Sequence, residues 1–226
     1  MSTDSKTIRT YDTHADEYAR VTFTDKPDPF LQAFIDAVPK GGRVLDLGCG
    51  DGTLLDYLQR EKRATGFGLE INPDHITTCM GRGVSVIEQN LDTQGLGNFE
   101  DHSFDTVLMT QALQAVRRPD MVLDEMLRVG REGIVTFPNF AYWRLRWYLM
   151  RRGRMPESET LPYKWYNTPN IHLCTFKDFE ALCFRKDVRI LNRTVVDGEH
   201  QDRWLSRLWP NMLGQIAIYR ITREES

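Results

Sequence analysis

The sequence predicts an α/β protein built on a doubly wound, mostly parallel sheet of seven strands. Strand-like apolar segments alternate with segments of helical spacing from residue 43 to residue 137. The first of these strands, "RVLDL", runs directly into a glycine-rich turn, "GCGDG". Two further strand-like segments, "VRILNRTVV" and "GQIAIYRIT", follow near the end of the chain. Strands that alternate with helices imply crossover connections, and crossovers produce a parallel sheet covered on both faces.

Local signals place the elements of the first half. A polar leader, residues 1–40, contains helical spacing that ends at Pro39 and the following glycines. The five strands after it are "RVLDL", "ATGFGLE", "VSVIEQ", "FDTVLMT" and "GIVTF". The helices between them are "TLLDYLQRE", "NPDHITTCMGRG" and "PDMVLDEMLRV". In the second of these helices Asn72 is the expected N-cap, with Pro73 at the first helical position.

The composition changes after Phe137. The segment "AYWRLRWYLMRRGR" is aromatic and basic, and a long proline-containing loop, "MPESETLPYKWYNTPNIHLC", follows it. A loop of this length inside a compact domain is usually more than a connector. The next segment, "TFKDFEALC", is a helix that Thr175 is expected to cap. Because no convincing linker interrupts the chain, residues 1–226 are interpreted as a single domain.

Composition narrows the classes of function. The 226 residues carry a net charge of −3, which does not favour a nucleic-acid partner. The four cysteines form no C-x-x-C pair, and their spacing predicts no metal site. The first residues lack the apolar core of a secretory signal, and no run is long enough to span a membrane. We therefore expect a cytoplasmic protein with reduced thiols and no membrane association.

The glycine turn predicts a ligand site. Gly48, Gly50 and Gly52 follow the first strand, where doubly wound sheets bind ligands at the carboxyl ends of their strands. At the end of the second strand stands Glu70, which can accept hydrogen bonds from both hydroxyls of a ribose. The combination indicates a ligand of the adenosine type.

Two ligands of that type compete. Dinucleotide sites use G-x-G-x-x-G, whereas the third glycine comes one residue earlier in this chain. Asp46 and Asp51 would repel a pyrophosphate, but they suit a ligand that carries an ammonium group. S-adenosylmethionine has an ammonium, a sulfonium and no phosphate. The spacing and charges favour it, or its product S-adenosylhomocysteine, over a dinucleotide.

The loops after the third and fourth strands predict the remaining contacts. Asn90 and Asp92 follow the third strand, and either could accept a hydrogen bond from the adenine amino group. Met109, Gln111 and Ala112 follow or end the fourth strand, near the expected methionine end of the ligand. For Met109, core filling is an equal alternative.

Longer motifs carry a resemblance to a known family. "RVLDLGCGDGTLL" with "GFGLE" resembles class I S-adenosylmethionine-dependent methyltransferases, whose Rossmann-like sheet has an antiparallel last strand. "FPNF", "WYNTPNIH" and "RLWPNMLGQIAIYR" resemble the methionine biosynthesis protein MetW, over about residues 41–220. The family usually has a shorter leader and an aspartate at the position of Asn90. The segment "TIRTYDTHADEYARV" instead resembles the leading helix of small-molecule methyltransferases, which can fold over the cofactor.

The resemblance implies a role in methionine synthesis beside a homoserine O-acyltransferase, as a partner needed for its full activity. Residues 41–137 would then be the cofactor-binding half, and residues 138–226 the half that binds a substrate or a partner. The alternative is an active methyltransferase on a small-molecule acceptor. Methyl transfer needs mainly alignment of the nucleophile with the methyl group, so no catalytic residue is predicted. His172, in the long loop, is either functional or simply hydrogen-bonded there.

The basic aromatic segment leaves several interpretations open. It contains five arginines, together with Trp143 and Trp147 at helical spacing. It could bind a partner protein, since Trp and Arg are enriched at interfaces. It could also be a solvated helix whose tryptophans face the core, a helix that lies on a membrane, or a helix that binds nucleic acid, although no recognition motif accompanies it.

Overall fold

The computed structural model describes residues 35–158, 160–196 and 209–223, so most of the predicted leader lies outside the described residues. The strands are β1 (Arg43–Leu47), β2 (Thr65–Glu70), β3 (Val86–Glu88), β4 (Phe104–Thr110), β5 (Gly130–Pro138), β6 (Arg189–Val196) and β7 (Ile216–Thr222). The helices are α1 (Thr53–Lys62), α2 (Pro73–Arg82), α3 (Leu91–Gln94), α4 (Pro119–Val129), α5 (Trp143–Arg152), α6 (Phe176–Arg185) and α7 (Pro210–Leu213).

The seven strands form one sheet in the order β3-β2-β1-β4-β5-β7-β6. Strands β1 to β5 pair in parallel, while β7 is antiparallel to both β5 and β6. The predicted fold class is therefore confirmed, including the antiparallel last strand. The chain leaves β1 towards β2 and later returns to β4 on the other side of β1. This reversal creates a crevice at the carboxyl ends of β1 and β4, where open α/β sheets bind ligands.

Alternating side chains of the central strands fill two apolar clusters. Val44 and Leu108 belong to one cluster, and their neighbours Leu45 and Met109 belong to the other. Since successive residues of a strand point to opposite faces, the two clusters cover the two faces of the sheet. All four side chains are fully buried. The sequences of these strands are continuously apolar because neither face of the sheet is exposed to water.

The predicted helix caps are confirmed, whereas the shortest strand and the two shortest helices were predicted wrongly or not at all. The Asn72 side chain accepts the Asp74 N–H at 2.9 Å, and Thr175 forms a capping box with Asp178, as predicted for the first turns of α2 and α6. The third strand is shorter than "VSVIEQ", because only Val86–Glu88 pairs with β2. The short helices α3 and α7 were not predicted, since four residues carry too little periodicity to reveal a helix.

Candidate functional site

The glycine turn after β1 lies against the end of β2. The N–H groups of Gly48 and Cys49 both donate to the Leu69 carbonyl, at 2.9 and 3.1 Å. Gly48 has φ 72° and Gly50 has φ 56°, a left-handed conformation that glycine adopts without a steric penalty. A Cβ at position 48 would also approach the Ala112 Cβ to 3.2 Å. The turn is therefore held close to the exits of both β2 and β4.

Glu70 organises this turn. Its Oε2 accepts the Gly50 N–H at 2.9 Å, and its Oε1 accepts the N–H groups of Ile71 and Asn72 at 2.8 and 3.0 Å. The Nδ1 atom of His75 lies 3.8 Å from Oε2. Burial acts to raise the pKa of Glu70, but the neighbouring His75 and the backbone hydrogen bonds from Asn72 and Ile71 outweigh it and lower the pKa. The carboxylate therefore stays ionised, and three backbone donors fix its orientation.

Asp46 is the unsatisfied group of the site. It lies in β1 and is 1% exposed, and neither carboxylate oxygen has a hydrogen-bond partner among the described residues. Burial and the nearby charge of Glu70 raise its pKa to about 7. A buried carboxylate without partners is costly, and an ammonium group from a ligand would satisfy it. This feature of the structure fits a ligand such as S-adenosylmethionine.

Asp51 behaves differently from Asp46. Its Oδ2 forms an ion pair with Arg82 at 2.8 Å, and its Oδ1 accepts the N–H and hydroxyl of Thr53 at 3.1 and 2.7 Å. Asp51 thus fixes the start of α1 and joins it to α2. The negative charge that would oppose a pyrophosphate comes from Asp46 and Glu70, rather than from Asp51.

Asn90 and Met109 have structural contacts of their own. The Asn90 Oδ1 accepts the Asp92 N–H at 2.9 Å and caps α3. Asp92 in turn accepts the Arg117 N–H at 2.8 Å, which joins α3 to the loop after β4. The Met109 side chain is fully buried in an apolar cluster, as the core-filling interpretation expects. Contact of Asn90 and Met109 with a ligand stays a prediction.

Sequence reasoning placed Gln111 near the ligand without its unusual backbone, and it missed two further residues near the glycine turn, His75 and Gln114. His75 was assigned no role, yet it contacts Glu70; its position three residues after the N-cap of α2 was the available signal. Gln111 follows β4 with φ 54°, which is uncommon for a residue other than glycine. Gln114 is 6% exposed, and its Nε2 donates to the Gln111 carbonyl at 2.6 Å, while its Oε1 accepts no hydrogen bond from the described residues. No local pattern marks either glutamine.

Residues 169–174, which we call the strap, cross the carboxyl edge of the sheet. The N–H groups of Ile171 and His172 both donate to the Gln114 carbonyl, at 2.9 and 3.0 Å. The Cys174 carbonyl accepts the Phe140 N–H at 3.0 Å. The His172 ring lies 3.3 Å from the Arg117 carbonyl, so its observed contact is a hydrogen bond of the loop. The strap therefore joins the end of β4 to the end of β5.

Helix α5 exposes most of its surface. Leu145 is its single buried residue, whereas Trp143 is 40% and Trp147 is 52% exposed. A solvated helix whose tryptophans face the core is therefore the wrong interpretation. Two clefts flank the helix and share Arg146 in their walls, with volumes of about 240 and about 320 Å³.

The described residues lack a membrane-spanning helix and a cluster of metal-binding side chains. None of the helices there combines the length and apolar character that crossing a membrane requires. Residues 35–158, 160–196 and 209–223 also contain no group of three or more His, Cys, Asp or Glu side chains that could hold a metal ion.

The fold and the glycine turn define the class of protein. The chain has the fold of S-adenosylmethionine-dependent methyltransferases. It is similar to a Thermotoga maritima structure described as a possible histamine N-methyltransferase, with a TM-score of 0.65, 17% identity, and 96% and 99% of the two chains covered. It is equally similar to the [4+2]-cyclase SpnF, with a TM-score of 0.65, 16% identity and 96% of both chains covered. Such likenesses show the fold alone.

The family is more specific. The family model "Methionine biosynthesis protein MetW" matches residues 29–221, and the chain belongs to this family. A relative from Rhodopirellula baltica, the "Bifunctional methionine biosynthesis protein MetXA/MetW", is 34% identical over 202 residues. The match covers 85% of this chain but 32% of that relative. The chain thus spans about a third of a protein that joins two activities.

Proposed function

We propose that this protein binds S-adenosylmethionine and acts in methionine biosynthesis together with a homoserine O-acyltransferase. Asp46 carries the first half of the proposal, because its two buried oxygens have no partner within the part of the chain that the structure describes, and a ligand's ammonium group would supply one. The bifunctional relative supports the second half, since its name joins MetXA to MetW in one chain. Residues 41–137 would be the cofactor-binding half, and residues 138–226 would meet the partner.

The proposed ligand contacts are those that the sequence predicts, and the geometry around Asp46 and Glu70 supports them. Asp46 would face the ammonium group, while the turn at Gly48 and Gly50 lets the backbone approach the ligand closely. Glu70 would accept the ribose hydroxyls with the lone pairs that its backbone donors leave free. Asn90 would lie at the adenine edge, and Met109 near the methionine end. S-adenosylmethionine would supply a methyl group on sulfonium, and this chain's residues would bind and orient it.

Calorimetric titration with S-adenosylmethionine tests whether the protein binds this ligand and how tightly. Replacing Glu70 by Ala is expected to weaken binding by roughly 2–3 kcal/mol, the range for charge-assisted hydrogen bonds. Glu61→Ala is a matched control, because Glu61 is exposed and lies in the last turn of α1, whereas the glycine turn precedes the first turn of that helix. Unchanged affinity of the Glu70 variant would show that the ribose assignment is wrong.

The partner needs its own experiment. The protein is mixed with the homoserine O-acyltransferase of the same organism, and acylation rates are measured with and without it. We expect a stable complex on size-exclusion chromatography and a faster reaction. If no complex forms and the acylation rate is unchanged, the proposed role fails, whatever the affinity for S-adenosylmethionine.

Methyl transfer to a small molecule is the second candidate. The strained backbone of Gln111 and the unpartnered Oε1 of buried Gln114 favour it, because strain and unsatisfied groups collect at functional sites. Incubation with methyl-labelled S-adenosylmethionine and a metabolite extract should then give a labelled product. If no labelled product forms although S-adenosylmethionine binds tightly, the methyltransferase candidate fails, and the protein only binds the cofactor.

A further inference from the structure

The outer side of α5 combines exposed aromatic side chains with an uncompensated positive charge. Residues 139–156 contain five arginines and no acidic residue, although the whole chain has a net charge of −3. The arginines are all exposed: Arg144, Arg146, Arg151, Arg152 and Arg154. Beside them lie Trp143, Trp147 and Met150, which are 40%, 52% and 70% exposed. A helix of ten residues with one buried side chain gains little stability from the core.

The loop after α5 extends this surface. Leu161 packs against Tyr142 and Leu145 in a small cluster of its own, which fixes the loop to the inner side of the helix. Four and five residues further on, Trp165 and Tyr166 are 74% and 64% exposed and meet edge to face at 5.7 Å between ring centroids. Large aromatic rings held in water are unfavourable unless another surface covers them.

The two clefts provide depressions beside the helix. The smaller is lined by Phe140, Ala141, Leu145, Arg146, Leu149 and Thr175. The larger continues beyond Arg146 to Lys177 and Trp209, among others. In the larger cleft Arg193 is paired with Glu180 at 2.8 Å, whereas Arg146 and Lys177 form no ion pair with the other described residues. Its walls suit an apolar side chain next to a carboxylate.

We propose that α5, Trp165, Tyr166 and the two clefts form the docking face for the homoserine O-acyltransferase, through an apolar strip edged with acidic residues. This inference rests on the proposed function, and it adds the surface and the chemistry of the contact. Charge complementarity selects an acidic partner, because five exposed arginines within eleven residues repel a basic one. Tryptophan and arginine are the residues that most often dominate binding energy at interfaces. The covalent joining of MetXA and MetW in the relative favours the acyltransferase over other acidic proteins.

The test compares two double variants of matched chemistry. The face variant is Trp147→Ala with Arg151→Glu. The control is Phe184→Ala with Arg185→Glu, at the far end of α6, where Phe184 is 86% exposed. The dissociation constant for the organism's own acyltransferase is measured by interferometry. We expect at least a roughly tenfold loss for the face variant and a change within about twofold for the control.

The affinity of the native protein should also fall as sodium chloride is raised from about 50 to about 200 mM, since exposed charges are screened. Unchanged melting temperature and S-adenosylmethionine affinity in the face variant would show that it remains folded. A face variant that binds the acyltransferase as tightly as the native protein overturns the docking face and leaves the proposed function intact. Failure of the native protein to bind overturns both.

Two other results would assign the face to a different occupant. Sedimentation of the native protein alone could reveal a dimer that the face variant abolishes, which would give the surface to a second copy of this chain. Binding to vesicles of phosphatidylserine and phosphatidylcholine, lost in the face variant while acyltransferase binding persists, would give it to a membrane surface. Either result overturns the docking proposal.

Discussion

At the scale of single residues, Asp46 connects the fold to the proposed ligand. It sits in the central strand β1 with Gly68 and Leu108 as its cross-strand neighbours, so it cannot turn towards water. No other described residue hydrogen-bonds to either of its oxygens, and its pKa is raised to about 7. A protein that keeps such a group in its core is less stable without a ligand than it could be, which is common at binding sites.

Replacing Asp46 by Asn should therefore separate stability from binding. A carboxyl group whose pKa is raised by folding stabilises the folded state fully below its unfolded pKa of 3.8, and this contribution is lost as the pH rises to about 7. At pH 8 the ligand-free variant should be more stable than the native protein by roughly 2 kcal/mol, while binding S-adenosylmethionine more weakly. Urea unfolding at pH 5 and pH 8, with calorimetry at pH 8, measures both effects.

The pH dependence of binding gives an independent check of the same residue. Affinity of the native protein should rise between about pH 6 and pH 7.5 as Asp46 ionises, and fall when the ligand's α-amino group, with an ordinary pKa near 7.7–8.0, loses its proton. The variant should lose the rising limb and keep the falling one. A variant that is destabilised at pH 8, or that keeps the rising limb, would contradict the assignment.

At the scale of elements, Asn139 joins the parts that hold the docking face in place. It follows β5 and is 1% exposed. Its Nδ2 donates to the carbonyls of Gly214 and Asn211 at 2.7 and 3.2 Å, and its Oδ1 accepts the Ala141 N–H at 3.0 Å. Its backbone N–H donates to the Gln215 carbonyl at 2.7 Å. Through its backbone and side chain together, one residue thus links β5, α7, the start of β7 and the segment that leads into α5.

Asn139→Ala should consequently destabilise the protein by about 3 kcal/mol, because it leaves buried backbone groups without partners. Asn167→Ala, in the loop after α5 where Asn167 is exposed, is the matched control and should change stability by less than about 0.5 kcal/mol. Urea unfolding of both variants measures the difference. A loss below about 1 kcal/mol for Asn139→Ala would mean that water replaces its hydrogen bonds.

Contacts between residues that are close in the sequence could be predicted, whereas contacts between residues far apart in the sequence could not. The glycine turn and the caps at Asn72 and Thr175 were predictable, because each signal lies within a few residues of its effect. The bond from Asn139 to Gly214 spans 75 residues, and no local pattern encodes it. The contact of His75 with Glu70 depends on how α2 leaves β2, so residue type alone could not reveal it.

At the scale of the whole molecule, the ligand edge and the docking face share the strap. The strap is bound to Gln114, which is bonded to Gln111 beside the glycine turn, and its other end is bonded to Phe140 next to α5. Gln111 is tied to Thr136 of β5 at 2.9 Å as well. A ligand that orders the end of β4 would therefore lower the cost of ordering the surface that the partner covers.

We expect S-adenosylmethionine to tighten acyltransferase binding by roughly fivefold, and the acyltransferase to tighten S-adenosylmethionine binding by the same factor, since coupling between two sites is reciprocal. Titrations of each ligand, with and without a saturating amount of the other, measure both factors. Ile171→Pro removes one N–H donor from the strap and should bring the coupling factor towards one. Leu173→Ala, on the same strap but without a lost backbone donor, should retain it. Equal affinities with and without the second ligand would mean that the strap transmits nothing and that the two sites are independent.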